Sequence, residues 1–381
     1  MIFLSEPNIS NSEKIRVAKA LDSNLVSSFG DNVKRFEKKF SSISKFKYSL
    51  ALNSGTSALH LALLVNKVKK DDLVIIPDYT FAATANAVIY CGASPWFHDI
   101  NKESITLDLD QVCKSLSQKT YQKGAHRYHK QTHQRIACII LVTAFGTISN
   151  LKKINLIKNS FNLPVIIDGA AAHFAKYENK PLGKYNLDIA YSFNGNKVIT
   201  TGSGGMFCTN NLKKYKEALL LTSVGQLNKK YEYLRIGYNY KMNNIQASIG
   251  LSQLDKYNNF YLKKKFIYNF YKENIPSNKI IKNFFRINKN EGAFWLYPLL
   301  IKKKYRNKFL QFLKIHKIII GNFWKNLSTQ IPYQKYLSEK NTNSRLMTST
   351  LICLPSSTFL KLKDLKKVKK IIDKFFKIKY L

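Results

Sequence analysis

The chain has 381 residues and a formal net charge of +39, because 62 Lys and Arg face 23 Asp and Glu. Hydrophobic residues make up 45 % of it, and 16 glycines and 9 prolines are too few for a disordered chain. No run reaches the roughly 18 apolar residues of a membrane span, and the N-terminal residues lack a signal-peptide pattern, so we expect no transmembrane segment.

Apolar periodicity predicts alternating helices and strands over residues 12–168. We predict helices at 12–22, 33–43, 58–66, 82–90 and 151–160, and strands at 48–53, 73–77, 94–97, 136–142 and 165–168. This alternation favours an α/β domain with a mainly parallel sheet. Because sites in such sheets lie at the carboxyl ends of the strands, we expect segments 53–56, 78–81 and 143–146 to meet Asp168 in one crevice.

Residues 121–135 form a polar segment with three histidines. Histidines can mark a metal site, but no cysteine or carboxylate lies among them. We therefore predict an exposed basic loop and no metal site.

The chain changes character after about residue 255, and we predict two domains, 1–255 and 256–381. The second carries a long helix at 256–275, strands at 293–301 and 349–354, and a helix at 305–316, which together predict a smaller α+β domain. The last segment, 361–378, is a basic amphipathic helix. We expect it to pack on the small domain, with attachment to a membrane surface as the alternative.

The large positive charge has two interpretations. It can mark a nucleic-acid binder, but only 8 of the 62 basic residues are arginine, the side chain best suited to phosphate and base recognition. The lysines are spread along the chain, which favours a solvated surface over a specific nucleic-acid face. The positive electrostatic field could also attract anionic small molecules or membrane headgroups, and this alternative is kept.

The five cysteines are scattered and include no Cys-x-x-Cys pair. Unpaired, dispersed cysteines are typical of reduced thiols, so we expect a cytoplasmic protein.

The segment Asn-Ser-Gly-Thr-Ser (53–57) joins a predicted strand to a predicted helix. Gly55 allows a tight turn, and the amides of Thr56 and Ser57 at a helix N-terminus suit a phosphate. The same residue types also form an ordinary helix N-cap, which is the alternative.

Asp168 ends the apolar run Pro-Val-Ile-Ile-Asp and precedes the small residues Gly-Ala-Ala-Ala. A carboxylate at the end of a buried strand needs a partner, and a protonated pyridine nitrogen would suit it. A helix N-cap is the alternative role. Phe81 could stack on such a ring, with Tyr79 as its competitor.

Lys197 lies in Tyr-Ser-Phe-Asn-Gly-Asn-Lys (191–197), before a Gly-Ser-Gly-Gly turn. A constrained loop can hold an amine still and partly dehydrated, as a Schiff-base lysine requires. Ser192, five residues earlier, could reach the same phosphate. His173 could be mistaken for a base, and we favour a structural role for it.

Three longer segments narrow the interpretation. They are 51–63, 77–88 and 237–247, the last reading Gly-Tyr-Asn-Tyr-Lys-Met-Asn-Asn-Ile-Gln-Ala. Together with 191–197, they resemble the DegT/DnrJ/EryC1/StrS family of sugar aminotransferases. The resemblance implies a fold-type I enzyme that uses pyridoxal 5′-phosphate.

The resemblance also implies roles for individual residues. Lys197 would bond the cofactor and move the proton, Asp168 would bind the pyridine nitrogen, and Phe81 would cover the ring. The phosphate would be held by Gly55, Thr56, Ser57 and Ser192. A homodimer is implied, with Asn239 acting on the neighbour's phosphate. The substrates would be glutamate and a nucleotide-linked keto-sugar, for surface glycan synthesis.

The sequence departs from the family pattern at three places. Ala171 stands where the family often has an amide or imidazole near the cofactor's hydroxyl, Lys241 stands where arginine is common, and Phe-Trp (323–324) replaces a His-Tyr-like pair. Relatives with histidine in place of the lysine catalyse dehydration, and Lys197 argues against that chemistry. A sugar dehydratase, an inactive relative and a basic binding protein that kept the fold remain the alternatives.

Overall fold

The computed structural model describes residues 1–226, 231–285, 287 and 292–377. The helices are α1 (Asn11–Asp22), α2 (Asp31–Ser44), α3 (Gly55–Val65), α4 (Ala82–Tyr90), α5 (Leu109–Lys119), α6 (Leu151–Phe161), α7 (Leu212–Thr222), α8 (Asn244–Asp255), α9 (Tyr257–Asn274), α10 (Lys303–Ile315), α11 (Thr342–Thr350) and α12 (Leu362–Lys377). The strands are β1 (Tyr48–Leu52), β2 (Leu73–Pro77), β3 (Ser94–His98), β4 (Thr120–Lys123), β5 (His126–His129), β6 (Arg135–Val142), β7 (Val165–Asp168), β8 (Lys176–Tyr177), β9 (Lys180–Pro181), β10 (Asp188–Ser192), β11 (Gly205–Thr209), β12 (Ile281–Lys282), β13 (Tyr297–Ile301), β14 (Gly321–Asn322) and β15 (Leu351–Leu354).

A sheet of nine strands forms the centre of the molecule, in the order β1-β11-β10-β7-β6-β2-β3, with the β4–β5 hairpin attached to β6. The five strands from β10 to β3 are parallel, and β11 runs antiparallel to both of its neighbours. The predicted α/β class with a mainly parallel mixed sheet is therefore confirmed.

The sheet is buried on both faces, as its sequence requires. In β2, Leu73 and Ile75 belong to one hydrophobic cluster, while Val74 and Ile76 belong to the cluster on the other side. A strand that is apolar at consecutive positions has no solvent-facing side, so helices must cover both faces of the sheet. Helices α2 and α8 pack together in the first layer, and α3 and α4 pack together in the second.

A second sheet, with the antiparallel order β12-β13-β15-β14, lies in the C-terminal part of the chain. The first residues of the chain also reach this region: Ile2 pairs with Ile318, and the Ser356 N–H donates to the Leu4 carbonyl at 2.7 Å. The division into domains 1–255 and 256–381 stays a proposal, with its boundary between α8 and α9.

The amphipathic helix predicted at 361–378 is α12, although residue 378 lies outside the described residues. Its buried face consists of Leu365, Val368, Ile372 and Phe375. Phe375 packs on two rings of α10, Phe309 at 4.9 Å and Phe312 at 5.3 Å between centroids. The apolar face is therefore covered by the protein itself, as the packing interpretation expected.

The segment 121–135 is largely exposed, as expected at residues 122–126 and 130–131, but the prediction that it is a loop is wrong. Residues 120–129 form the β4–β5 hairpin, with Tyr121 and Tyr128 paired across it at 5.8 Å between ring centroids. His129 is buried against Trp96, with 4.9 Å between their centroids. Polar residues are common on both sides of an edge hairpin, so composition concealed the strands.

Two further findings concern the described ranges alone. They contain no cluster of three or more His, Cys, Asp and Glu side chains that could hold a metal ion. None of their helices combines the length and the hydropathy needed to cross a bilayer.

Candidate active site

A cavity of about 520 Å³ opens at the carboxyl ends of the parallel strands. It brings together six of the residues singled out in the sequence, namely Gly55, Thr56, Phe81, Asp168, Ser192 and Lys197. They come from separate segments of the chain, and the sheet topology alone makes them neighbours. Ser57 and Asn239 are not in the cavity lining.

The turn before α3 presents backbone donors to the cavity. Ser54 caps the helix, since its Oγ accepts the Ser57 N–H at 3.0 Å. Across the described part of the chain, the N–H groups of Gly55 and Thr56 have no acceptor. Two such amides at a helix N-terminus form an anion site. Ser57 supports the turn instead, because its hydroxyl donates to Asn53 Oδ1 at 2.7 Å.

Gly55 and Ser192 are in close contact at the floor of the cavity. A Cβ atom on Gly55 would lie 2.6 Å from the Ser192 Cβ and 3.1 Å from its Cα. Only glycine fits this approach of α3 to the end of β10. The contact places the Ser192 hydroxyl next to the free amides of the turn.

Asp168 is buried at the end of β7 and is only partly satisfied by protein groups. Its Oδ2 accepts the Thr84 hydroxyl at 2.8 Å, and its Oδ1 accepts the Ala170 N–H at 3.2 Å. Burial raises the pKa of this carboxyl, while these hydrogen bonds and the Lys197 charge oppose the rise. A cationic partner in the cavity would favour the ionised form.

Lys197 is half-buried, and its ammonium lies against an aromatic ring. Its Nζ is 3.9 Å from the centroid of the Trp295 ring, and the Trp295 indole N–H donates to the Asn196 carbonyl at 2.8 Å. Burial lowers the pKa of Lys197 to about 8, against an opposing contribution from Asp168. A larger share of this amine is thus neutral near pH 7 than for a solvated lysine.

A second buried lysine holds Trp295 in place. Lys264 on α9 is 2 % exposed, and its Nζ donates to the carbonyls of Trp295, at 2.9 Å, and Ser356. Burial lowers the pKa of Lys264 to about 7. A buried amine needs acceptors, and these two carbonyls fix the backbone that carries the indole.

Four aromatic residues form one side of the site; we call them the aromatic wall, and they are Phe145, Trp295, Phe323 and Trp324. Phe145 lies at its centre, stacked on Trp324 at 5.3 Å and edge-on to Phe323 at 5.2 Å. Phe145 has a φ of 55°, a left-handed conformation that is unfavourable for a bulky residue. The Phe-Trp pair of the sequence thus contributes an apolar surface to the cavity.

The two aromatic candidates of the segment 77–81 differ in position. Phe81 lines the cavity and is 62 % exposed, whereas Tyr79 is fully buried and packs edge-on against Trp324 at 5.5 Å. Phe81 is therefore the residue free to cover a flat ligand.

Two of the three departures noted in the sequence, Ala171 and the Phe-Trp pair (323–324), lie in the cavity lining, and Lys241 does not. Ala171 lines it with a methyl group, so this position offers no hydrogen bond. His173 is fully buried among aromatic rings and does not line the cavity. Burial lowers the pKa of His173 to about 3, which agrees with the structural role expected for it.

Asn239 lies outside this cavity, on an exposed segment. Asn53 Nδ2 donates to its carbonyl at 3.2 Å, and its backbone pairs with Ser223. The preceding residues expose large apolar side chains, with Leu234 71 % and Ile236 90 % accessible. Contiguous exposed apolar patches are typical of interaction sites.

Sequence reasoning missed two residues of the site. Thr84 meets Asp168 only because α4 packs near the end of β7, and Trp295 approaches Lys197 from the segment before β13. Trp295 was placed inside the predicted strand 293–301, whereas β13 begins at Tyr297, and the aromatic pair Phe-Trp at 294–295 was the one available signal for it.

Comparisons with known proteins agree with this geometry. The profile of the DegT/DnrJ/EryC1/StrS aminotransferase family matches residues 7–373. A GDP-perosamine synthase of Escherichia coli O157:H7 is 36 % identical over 273 residues, 71 % of each chain. A UDP-4-amino-4,6-dideoxy-N-acetyl-beta-L-altrosamine transaminase of Campylobacter jejuni is 28 % identical over 97 % of this chain and 96 % of its own. A crystal structure of a DegT DnrJ EryC1 StrS aminotransferase from Brucella abortus has the same fold, with a TM-score of 0.88 at 24 % identity over 96 % of this chain and 95 % of that one.

We predict that Gly55→Ala destabilises the protein by about 1–3 kcal/mol, because the added methyl overlaps Ser192. Urea unfolding measures the change. Gly195→Ala is the matched control, since a Cβ there would meet only a carbonyl oxygen at 3.9 Å. Equal losses in both variants would contradict the steric explanation.

We predict that Lys197 of the cofactor-free protein is half-protonated near pH 8, where an ordinary lysine has a pKa of about 10.5. Competitive acylation across a pH series, followed by peptide mass spectrometry, measures the midpoint. Asp168→Asn removes the carboxylate that raises the pKa of Lys197, so the midpoint should move to lower pH. An upward shift would contradict the assigned electrostatics.

Proposed function

The chain belongs to the DegT/DnrJ/EryC1/StrS aminotransferase family, and we propose that this aminotransferase moves an amino group from glutamate to a nucleotide-linked keto-sugar. The observation that carries the proposal is the meeting of Lys197, Asp168 and the Gly55–Thr56 amides in one cavity. The names of the Escherichia coli and Campylobacter jejuni relatives denote GDP-linked and UDP-linked sugars, which supports this substrate class.

The described residues fit pyridoxal 5′-phosphate as the cofactor. The free amides of Gly55 and Thr56, with the Ser192 hydroxyl beside them, suit its phosphate. Asp168 suits the pyridine nitrogen, and Phe81 suits the exposed face of the ring. When bound, the cofactor supplies the electron sink that lets an amino group leave one carbon and join another.

Lys197 is proposed to move the proton. Because the pKa of Lys197 is near 8, a larger fraction of its Nζ is neutral near pH 7 than in a solvated lysine. The neutral Nζ can accept a proton from the amine-bearing carbon of the donor. The same Nζ returns a proton in the acceptor half-reaction. Trp295, 3.9 Å away, limits where the amine can go and excludes water from one side of it.

The sugar is proposed to lie against the aromatic wall. Trp295, Phe323 and Trp324 all line the cavity, and the apolar faces of sugar rings pack on such surfaces. The aminated sugar would serve surface polysaccharide synthesis. The five cysteines are free thiols, which supports the proposal of a cytoplasmic enzyme.

The active form is proposed to be a homodimer in which Asn239 of a second copy reaches the cofactor phosphate. Asn239 does not line the cavity of its own chain, and the exposed apolar side chains at 234 and 236 adjoin it. Covering these side chains with a second copy would remove them from water.

The function is tested with purified protein reconstituted with pyridoxal 5′-phosphate. We expect a visible absorbance band that glutamate converts, and an aminated product, identified by mass, from a panel of GDP- and UDP-linked keto-sugars. Lys197→Ala should bind cofactor without either reaction, because the proton-moving amine is gone. A product that has lost oxygen without gaining nitrogen would identify a dehydratase instead.

Complementation tests the role of Asn239 in the dimer. Lys197→Ala and Asn239→Ala are expected to be inactive alone, and a refolded equal mixture should recover about one quarter of the wild-type rate, because half the dimers carry one intact site. Asn243→Ala, which removes an N-cap of α8, is the matched asparagine control and should be active alone. If the mixture recovers no activity, Asn239 acts on the active site of its own subunit and the proposed exchange between subunits is wrong.

A further inference from the structure

A second cavity of about 850 Å³ lies at the amino ends of the parallel strands, opposite the active site. Its floor includes the first residues of β6, β7 and β10, and its sides come from the β4–β5 hairpin, α6 and α7. We call it the basic groove. Two carboxylates line it, Asp188 and Glu217. Six cationic side chains also line it, namely Lys67, Arg127, Arg135, Lys158, Lys213 and Lys214.

Three of these cations are already neutralised. Arg135 Nε donates to Asp72 at 2.8 Å, and Lys214 forms an ion pair with the buried Asp188. Lys67 pairs with Glu217 at 2.6 Å. These ion pairs connect the strands, α3 and α7. The charges of Arg135, Lys214 and Lys67 therefore stabilise the walls of the groove.

The other three, Arg127, Lys158 and Lys213, have no carboxylate within ion-pair distance in the part of the chain that the structure describes. Each comes from a different element: β5, α6 and α7. Carboxylates are scarce in this chain, so unpaired cations are common on its surface. In the groove, three of them line one concavity. These three cations are partly or fully exposed to solvent, so they are available to an anion that enters the groove.

Arg127 is held in a fixed orientation. Its Nη1 donates to Thr120 Oγ1 at 2.8 Å, and its guanidinium lies 5.0 Å from the Phe161 ring centroid. The hairpin that carries it is tied to α6, since Asn162 Nδ2 donates to the Ala125 carbonyl at 3.3 Å. A preoriented guanidinium loses little entropy when it binds a phosphate.

Helix dipoles favour one side of the groove. The N-terminus of α7 lies at its edge, where Asn211 caps the Lys214 N–H and the amides of the first turn carry partial positive charge. The C-terminus of α6 also reaches the groove and carries the opposite partial charge, with Lys158 in its last turn. The N-terminus of α7 therefore favours an anion, and at the α6 end the full charge of Lys158 exceeds the partial negative charge of the helix.

We propose that the basic groove is a binding site for a small phosphorylated molecule that carries a diphosphate. A diphosphate has a charge of about −3, which matches the three uncompensated cations. The concave shape and the ion pairs within it suit a compact ligand, whereas nucleic acid needs an extended basic track. The basic groove shares no lining residue with the active-site cavity, so this proposal does not depend on the proposed function.

The test uses the holoenzyme and inorganic pyrophosphate as the probe, measured by isothermal titration calorimetry. The groove variant is Lys158→Glu with Lys213→Glu. The control variant, Lys363→Glu with Lys370→Glu on the exposed face of α12, makes the same charge change elsewhere. We expect saturable pyrophosphate binding by the wild-type holoenzyme. The groove variant should bind pyrophosphate about tenfold or more weakly, and the control variant should bind it with the wild-type affinity. Arg127→Lys keeps the positive charge but removes the paired N–H donors of the planar guanidinium, so it should also weaken binding.

Three results would overturn the proposal. The first is the absence of saturable pyrophosphate binding by the wild-type holoenzyme. The second is equal weakening in the groove and control variants, which would show that overall charge alone attracts the anion. The third is tighter binding of random-sequence RNA than of pyrophosphate, lost in the groove variant, which would make the groove a nucleic-acid surface.

Discussion

The active site depends on the burial of one carboxylate at the end of a central strand. The Asp168 carboxylate is removed from water, and the described residues give it two hydrogen bonds, from Thr84 and Ala170. The positive charge that opposes the rise in its pKa is Lys197, which is itself partly desolvated and whose pKa is lowered. Each charge is therefore incompletely stabilised by the protein, and both face the same cavity. A bound cation between them stabilises the carboxylate, so the protein is electrostatically prepared for a ligand before the ligand arrives.

The same strands that carry this site also carry the basic groove at their other ends. In β7, Val165 lines the groove and Asp168 lines the active-site cavity. Three residue steps of about 3.3 Å separate them, so the two cavities lie roughly 10 Å apart along the strand. Parallel strands have chemically different ends, and this protein has a cavity at each. The buried strands between them form a rigid connection.

The sequence predicted the parts of the structure that have local signals. Continuous apolar runs identified β2, β6 and β7, and the strand-end positions of Asp168 and the Gly55 turn placed them in one crevice. The hairpin at 120–129 escaped prediction because its strands are polar on both faces, although a Tyr–Tyr pair spans it. Thr84 and Trp295 were missed because their roles arise from packing between segments far apart in sequence, and only Trp295 had a local signal, the aromatic pair at 294–295.

The pairing of the first residues with the C-terminal region has a consequence for the making of the protein. Ile2 pairs with Ile318, and Leu4 accepts a hydrogen bond from Ser356. During synthesis residues 2–4 leave the ribosome before residues 318–356 and must stay undocked until that later segment has emerged. Their contacts join segments that are far apart in the sequence, which makes this docking a late step of folding. A nascent chain that stalls before residue 318 therefore exposes an unpaired N-terminal segment to proteases and chaperones.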